Sequence, residues 1–322
     1  MRLGFDVGGT KTDGVIVAPD GEIVSRLRRP TGWGAAQVVA TITDLAADLV
    51  QAAGVRASDV RSIGVGMPGQ VAPGSGTVRY AVNLGIDELD LGRTVGDALG
   101  VPVRAENDVK AAALGAHALY GAQAGADGAM AYLNLGTGVA AGFVFGGELW
   151  RGARGAAGEI GHLSVDPRGP RCTCGQRGCI EAYCGGGAIA ARWGRDVPLP
   201  VLDVFDHADA GDPLALELRA GLIYGVASAI RVIMLSGDAE KIVLGGGVTA
   251  LGARMLGLVK ADLAESAAVS SFLRSLQLAD RVELLPPDSP AAALGAALVG
   301  AAPVAPLVST PSPLEGKAVL HG

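Results

Sequence analysis

The chain opens with three short apolar-rich runs, residues 3–7, 12–18 and 22–28, divided by Gly8-Gly9 and Asp20-Gly21. Short runs broken by such pairs predict a three-stranded meander. Val38, Val39, Ile42, Leu45, Ala46, Leu49 and Val50 then recur at helical spacing, which predicts one helix over residues 35–53. A strand over 61–66, a helix over 91–99 and a strand over 101–105 follow. Asn107 or Asp108 offers a side-chain acceptor to the free N–H groups of a helix over 109–120.

At Ala129 the pattern restarts. An apolar run over 130–135 meets Gly136-Thr137-Gly138, a second over 139–145 follows, and Gly146-Gly147 makes another turn. Phe5-Asp6-Val7-Gly8-Gly9-Thr10 is thus echoed by Leu133-Asn134-Leu135-Gly136-Thr137-Gly138, which suggests a duplicated domain with a cleft between the copies. A long helix over about 213–236 leads to a strand over 241–244, Gly245-Gly246-Gly247 and a helix from Thr249. A strand over 282–285 and a helix over 291–299 close the pattern, and a Pro/Ser/Thr/Ala-rich tail begins near Ala302. The class is α/β. The expected division is residues 1–107 with about 288–302 as an N-terminal domain, 108–287 as a C-terminal domain, and 303–322 as a flexible tail. The longest uncharged stretch, 290–308, reads as a buried helix running into that tail and not as a membrane span.

Composition narrows the partners. Of 322 residues 49% are hydrophobic and 18% charged, so a large core can form. A net charge of −6 argues against a surface built for nucleic acid, while leaving room for a small phosphate site made of backbone N–H groups. The opening apolar run is too short for a secretory segment, and all four cysteines fall between Cys172 and Cys184. Such clustering suits metal binding in a reducing compartment, so a cytoplasmic location is expected.

Three glycine turns each follow an apolar strand: Gly8 to Lys11, Gly136-Thr137-Gly138 and Gly245-Gly246-Gly247. Strand ends need turns in any case, but backbone this bare also lets N–H groups approach phosphate or nucleotide. Gly64-Val65-Gly66-Met67-Pro68-Gly69 matches the dinucleotide spacing, yet Pro68 stands where a helix should be donating N–H groups. No Walker A run is present. Glu106-Asn107-Asp108 lies between a strand and a helix, where Asp108 can accept a proton from a substrate hydroxyl that Asn107 orients. His162 with Cys172, Cys174 and Cys179 forms a Cys₃His set suited to a closed, structural Zn²⁺ site that would steady Glu159 and Glu181. Cys184 is the alternative fourth ligand.

Together these residues resemble the ROK family of the hexokinase/actin-like superfamily, along nearly all of residues 3–300. The most specific parts are Asp6 to Lys11, Glu106-Asn107-Asp108, Leu135 to Gly138, and Gly158 to His162 with Cys172 to Glu181. The resemblance implies duplicated ribonuclease-H-like domains flanking a cleft and ATP-dependent phosphorylation of a hexose, by default at the glucose 6-OH. It implies Asp108 as the base, with Asn107, Glu159, His162 and Glu181 on the sugar hydroxyls. It places Gly9, Thr10, Lys11, Gly136, Thr137 and Gly138 on the phosphates, and Gly245, Gly246 and Gly247 on the adenosine. Asp6 would sit near the Mg²⁺ that accompanies ATP. A homodimer or homotetramer is expected, with neither nucleic acid nor membrane as partner. The alternatives are a kinase for fructose, mannose or an N-acetylhexosamine, or a non-catalytic sugar-binding regulator. A family repressor would carry a DNA-reading module ahead of the first strand, which here begins at residue 3. Departures from the family pattern are Val109-Lys110, expected to lie behind Asp108 on the helix, Ala140-Ala141 and Gly185.

Overall fold

The expected meander forms as β1 (Arg2–Val7), β2 (Lys11–Val17) and β3 (Ile23–Pro30). A computed structural model describes residues 1–71, 76–121 and 128–301; the tail expected over 303–322 lies outside them. Helix α1 (Ala35–Ala52) buries Val38, Ile42, Leu45, Ala46 and Leu49, the apolar face that its spacing predicts. Next come β4 (Ser62–Met67) and a small sheet of β5 (Gln70–Val71), β6 (Thr77–Ala81) and β7 (Ile86–Asp90). Helix α2 (Leu91–Leu99), β8 (Val103–Asn107) and α3 (Asp108–Tyr120) complete the first half. The strand expected over 101–105 lies two residues later, because its parallel register with β4 runs from Ile63↔Val103 to Met67↔Asn107.

The second half holds β9 (Met130–Leu135), β10 (Val139–Phe145) and β11 (Glu148–Trp150). Positive φ at both Gly146 and Gly147 makes the two-residue turn that joins β10 to β11. Helices α4 (Ile180–Cys184), α5 (Gly186–Trp193), α6 (Pro200–Asp209) and α7 (Pro213–Gly237) follow. After them come β12 (Lys241–Gly245), α8 (Ala253–Val269), α9 (Ser271–Leu276), β13 (Val282–Leu284) and α10 (Ala291–Ala301). The helix expected from Thr249 starts instead at Ala253, since Gly247–Leu251 is a 3₁₀ turn that Gly252 ends with positive φ. Helix α7 is the one described helix long and apolar enough to cross a membrane; it buries Leu218, Leu222, Val226, Ile230 and Ile233 in the second core.

The duplication is visible in the strand order. One sheet runs β3-β2-β1-β4-β8 and the other β11-β10-β9-β12-β13. In each, the meander is antiparallel and the two later strands add in parallel. The helix that closes each half packs on the other half's sheet. Val109, Ala112 and Ala113 of α3 meet Met130 and Val144, while Ala293, Leu294 and Ala297 of α10 meet Val15 and Val17. The two helices touch through Gly115 and Gly295, where an added Cβ would stand 1.8 Å from the Ala291 oxygen and 1.7 Å from the Ala111 oxygen. Gly64 serves the same purpose, because a Cβ there would fall 1.7 Å from the Ala296 oxygen. Within the apparent dinucleotide motif Gly64 and Gly66 are helix-packing positions, against α10 and α3, while Gly69, with positive φ, turns against Arg79 of β6.

Candidate active site

Strand β8 ends at Asn107, whose Oδ1 accepts the N–H groups of Val109 (3.1 Å) and Lys110 (3.2 Å) and so caps α3. The cap leaves Asn107 Nδ2 to the Gly69 oxygen at 3.4 Å and Asp108 as the first helical residue. Both face a cavity of about 820 Å³ between the halves. Pro68, Gly69, Tyr80, Asn107 and Asp108 line one side, and Gly138, Glu159, His162 and Glu181 the other. Gly138 has a steric reason: its Cβ would stand 2.5 Å from Glu181 Oε2, which accepts the Val139 N–H at 2.9 Å.

The electrostatics centre on two carboxylates. Burial raises the Asp108 pKa and Glu159 adds to the rise, while the N–H groups of Val109 and Asp108 and the charge of Lys110 oppose it. Asp6 is pushed up to about 7 by burial first, then by Asp108 and Asp13, against the pull of Lys11 and Arg26. At Asp13 burial works against ionisation, but hydrogen bonds from Arg26 and Arg28 outweigh it and hold the carboxyl below its usual range. Burial, with Asp6 and Asp108 near, keeps the Tyr132 phenol protonated.

Asp6 therefore lowers stability at neutral pH. Between its unfolded value of 3.8 and about 7 the folded state holds a proton that the unfolded chain has released, so stability falls as pH rises through that window. Asp6→Asn is expected to raise the Tm relative to the parent at pH 8 and to leave it unchanged near pH 4. Equal shifts in thermal melts at both pH values would assign the effect to something other than ionisation.

His162 Nδ1 lies 3.9 Å from Cys172 Sγ, and Cys174 Sγ lies 3.7 Å from Cys179 Sγ. All four ligand atoms fall within 4.8 Å of one another. A tetrahedral ion with bonds of about 2.3 Å to sulfur and about 2.0 Å to nitrogen sets ligand separations of roughly 3.5–3.8 Å. The set is consistent with a zinc site. Burial, then the neighbouring sulfurs, push the Cys179 thiol up to about 12, a strain that a divalent cation would reverse. Cys184 is not in the cluster; it is buried and donates to the Ile180 oxygen.

Of the expected site residues, Asn107, Asp108, Gly138, Glu159, His162 and Glu181 share the cavity. Asp6, Gly9, Thr10, Lys11, Gly136, Thr137 and Gly245 to Gly247 are not in its lining. The second and third glycine turns do abut, since a Cβ on Gly246 would stand 2.5 Å from the Leu135 oxygen. The first turn is closed by Gly8 N–H to the Lys11 oxygen at 3.0 Å and lies against Asn83. Val109 and Lys110 do not lie behind Asp108 as expected; both line the cavity, because the cap turns the start of α3 toward it. The sequence reading also missed Asn134, Arg151 and Arg154. Asn134 had a signal, as the counterpart of Asp6 in the repeat; the two arginines had none.

Residues 2–300 match the ROK family. The chain belongs to that family. It is 34% identical over 277 residues to a glucokinase of Halalkalibacterium halodurans, covering 80% of this chain and 83% of that one. It is also 34% identical over 268 residues to an N-acetylmannosamine kinase of Escherichia coli, covering 83% and 89%. The ROK hexokinase of Thermus thermophilus superposes with a TM-score of 0.78 at 32% identity, over 93% of this chain and 97% of that one. The ROK glucokinase of Streptomyces griseus, solved with glucose and AMPPNP, gives 0.71 at 28% identity, over 93% and 99%. This ROK protein is an ATP-dependent sugar kinase.

Proposed function

We propose that this ROK kinase transfers the γ-phosphoryl group of ATP to a hexose hydroxyl, the 6-OH of glucose being the first acceptor to test. The carrying observation is Asp108 at the start of α3, desolvated in the cavity and faced by Glu159, His162 and Glu181. Asp108 takes the proton of the attacking hydroxyl as its oxygen bonds to phosphorus and the bond to the ADP oxygen breaks. Asn107 Nδ2, Glu159 and Glu181 hold the other hydroxyls. With Nδ1 turned to the sulfurs, His162 has Nε2 left for the sugar. The glycine turns at Gly9-Thr10-Lys11 and Gly136-Thr137-Gly138 receive the phosphates, and Gly245 to Gly247 the adenosine. Asp6 would stand near the Mg²⁺ that accompanies ATP, which would neutralise phosphate charge; beside such a cation the Asp6 carboxyl, raised to about 7 by burial and then by Asp108 and Asp13, would return to its ionised form.

A structural Zn²⁺ held by His162, Cys172, Cys174 and Cys179 belongs to the same reading, as do a cytoplasmic setting and a homodimer or homotetramer. The proposed domains are residues 1–107 with 288–302, and 108–287; the interleaving of α3 and α10 fits chain crossings at those points. A panel of glucose, mannose, fructose, N-acetylglucosamine and N-acetylmannosamine in a coupled ADP-release assay tests the proposal. Glucose is expected to give the highest kcat/KM. A preference for N-acetylmannosamine would reassign the acceptor, and binding without turnover of any sugar would favour a regulator.

A further inference from the structure

Among the described residues four charged side chains are buried, Asp13, Glu106, Lys110 and Lys241. Two of them, Glu106 and Lys110, stand two positions before and two positions after Asp108. Both reach the same loop. Arg151 donates from Nε to Glu106 Oε2 at 2.6 Å, and Lys110 donates from Nζ to the Gly155 oxygen. Glu106 passes the restraint on, because its Oε1 accepts the Asn107 N–H at 3.0 Å. The loop is fixed at its far end too, where the Gly158 oxygen accepts the Ala141 N–H of β10 at 2.8 Å. Glu159 is the next residue. The segment that presents a carboxylate to the sugar is thereby fastened on both flanks of Asp108.

Burying a charge is unfavourable unless it is paired and hydrogen-bonded, so neither Glu106 nor Lys110 can leave its partner in the loop without a large penalty. Each tie also crosses from the strand and helix that carry Asp108 to the loop of the second half. A tie serving stability alone could lie anywhere along these elements; these two bracket one carboxylate.

We propose that Arg151 and Lys110 are positioning residues that hold Asp108 in register with Glu159, keeping the attacking hydroxyl aligned with its base. The proposal rests on Asp108 being that base. Misplacement of a reacting group by about 1 Å can lower the rate about a hundredfold, while the sugar keeps the hydroxyl contacts proposed for Asn107 and Glu181 and its affinity changes little.

The test is steady-state kinetics on the acceptor preferred in the sugar panel, with sugar affinity measured by calorimetry and folding by thermal melt. Arg151→Met is expected to lower kcat by about tenfold to a hundredfold, with the sugar Kd and the ATP KM within about threefold. Arg151→Lys should recover part of kcat, because an ammonium can still pair with Glu106. Lys110→Met should lower kcat independently. Glu106→Gln combined with Arg151→Met should be no slower than Arg151→Met alone, since both remove one tie. Wild-type kcat in Arg151→Met and Lys110→Met would overturn the proposal, as would losses in kcat matched by equal losses in sugar affinity. If Arg151→Met does not fold, Arg151→Lys and Lys110→Met decide by the same criteria. An inactive Asp108→Asn beside a fully active Arg151→Met would remove the positioning role and leave the base in place. An active Asp108→Asn would remove the base itself.

Discussion

Replacing Asp108 by asparagine is expected to lower kcat by about 10²–10⁴, the usual loss when a general base is removed, while the sugar Kd stays within about tenfold. The amide preserves shape but accepts no proton. Helix α3 should survive the change, because its cap is Asn107 and the Asp108 side chain supplies one further bond, to the Val109 N–H at 2.9 Å. Burial raises the Asp108 pKa, so the wild-type rate should fall on the acid side at a pH above that of an ordinary aspartate. Asp108→Asn should lose that acid limb together with the rate. Near-normal ADP release by the variant would move the base to another group, and Glu159, which lines the same cavity and acts electrostatically on Asp108, is the first carboxylate to test.

The position of Asp108 could be read before the fold because its signal is local. Glu106-Asn107-Asp108 sits where a strand hands over to a helix, and both the cap and the direction into the cavity follow from that junction. The duplication was legible for a similar reason: a strand, a glycine turn and a strand recur with the same spacing, and the two sheets take one topology. The small sheet of β5 to β7 left no such trace. Strand β5 has two residues, too few to show a period of two, and Tyr80 interrupts β6 with a positive φ of 57°.

The ties made by Arg151 and Lys110 were invisible for a deeper reason. Burial of a charge is a tertiary property, set by which loop crosses which helix start, and neither residue has a partner near it in sequence. The glycine turns fall between these cases. Their presence was plain, but what each one faces depends on how the two halves meet. Gly138 answers to the Glu181 carboxylate and Gly64 to α10, demands that no local pattern distinguishes from a phosphate cradle.

The Cys₃His cluster carries the other large expectation: one zinc per chain by elemental analysis of the purified protein, lost in Cys174→Ser. Cys174 is exposed while Cys172 and Cys179 are buried, so serine at 174 removes a ligand without opening a cavity in the core. The metal would hold together a loop whose two ends matter. His162 follows Glu159 by three residues, and Glu181 follows Cys179 by two with Oε1 4.0 Å from Cys172 Sγ. Releasing the ion should therefore loosen both carboxylates before the sheets unfold, since neither hydrophobic core runs through the loop's tip. The sugar KM should rise more than the ATP KM, with kcat/KM for sugar falling about 10- to 100-fold, the range found when groups supporting a metal site are disturbed. Cys184→Ser is the control. Its thiol lies outside the cluster and bonds the Ile180 oxygen, so that variant should keep its zinc. Zinc missing from the wild type, or full activity in zinc-free Cys174→Ser, would show that the four residues hold the loop by some other means. Zinc lost equally from Cys184→Ser would restore Cys184 as the fourth ligand and free both nitrogens of His162 for the sugar.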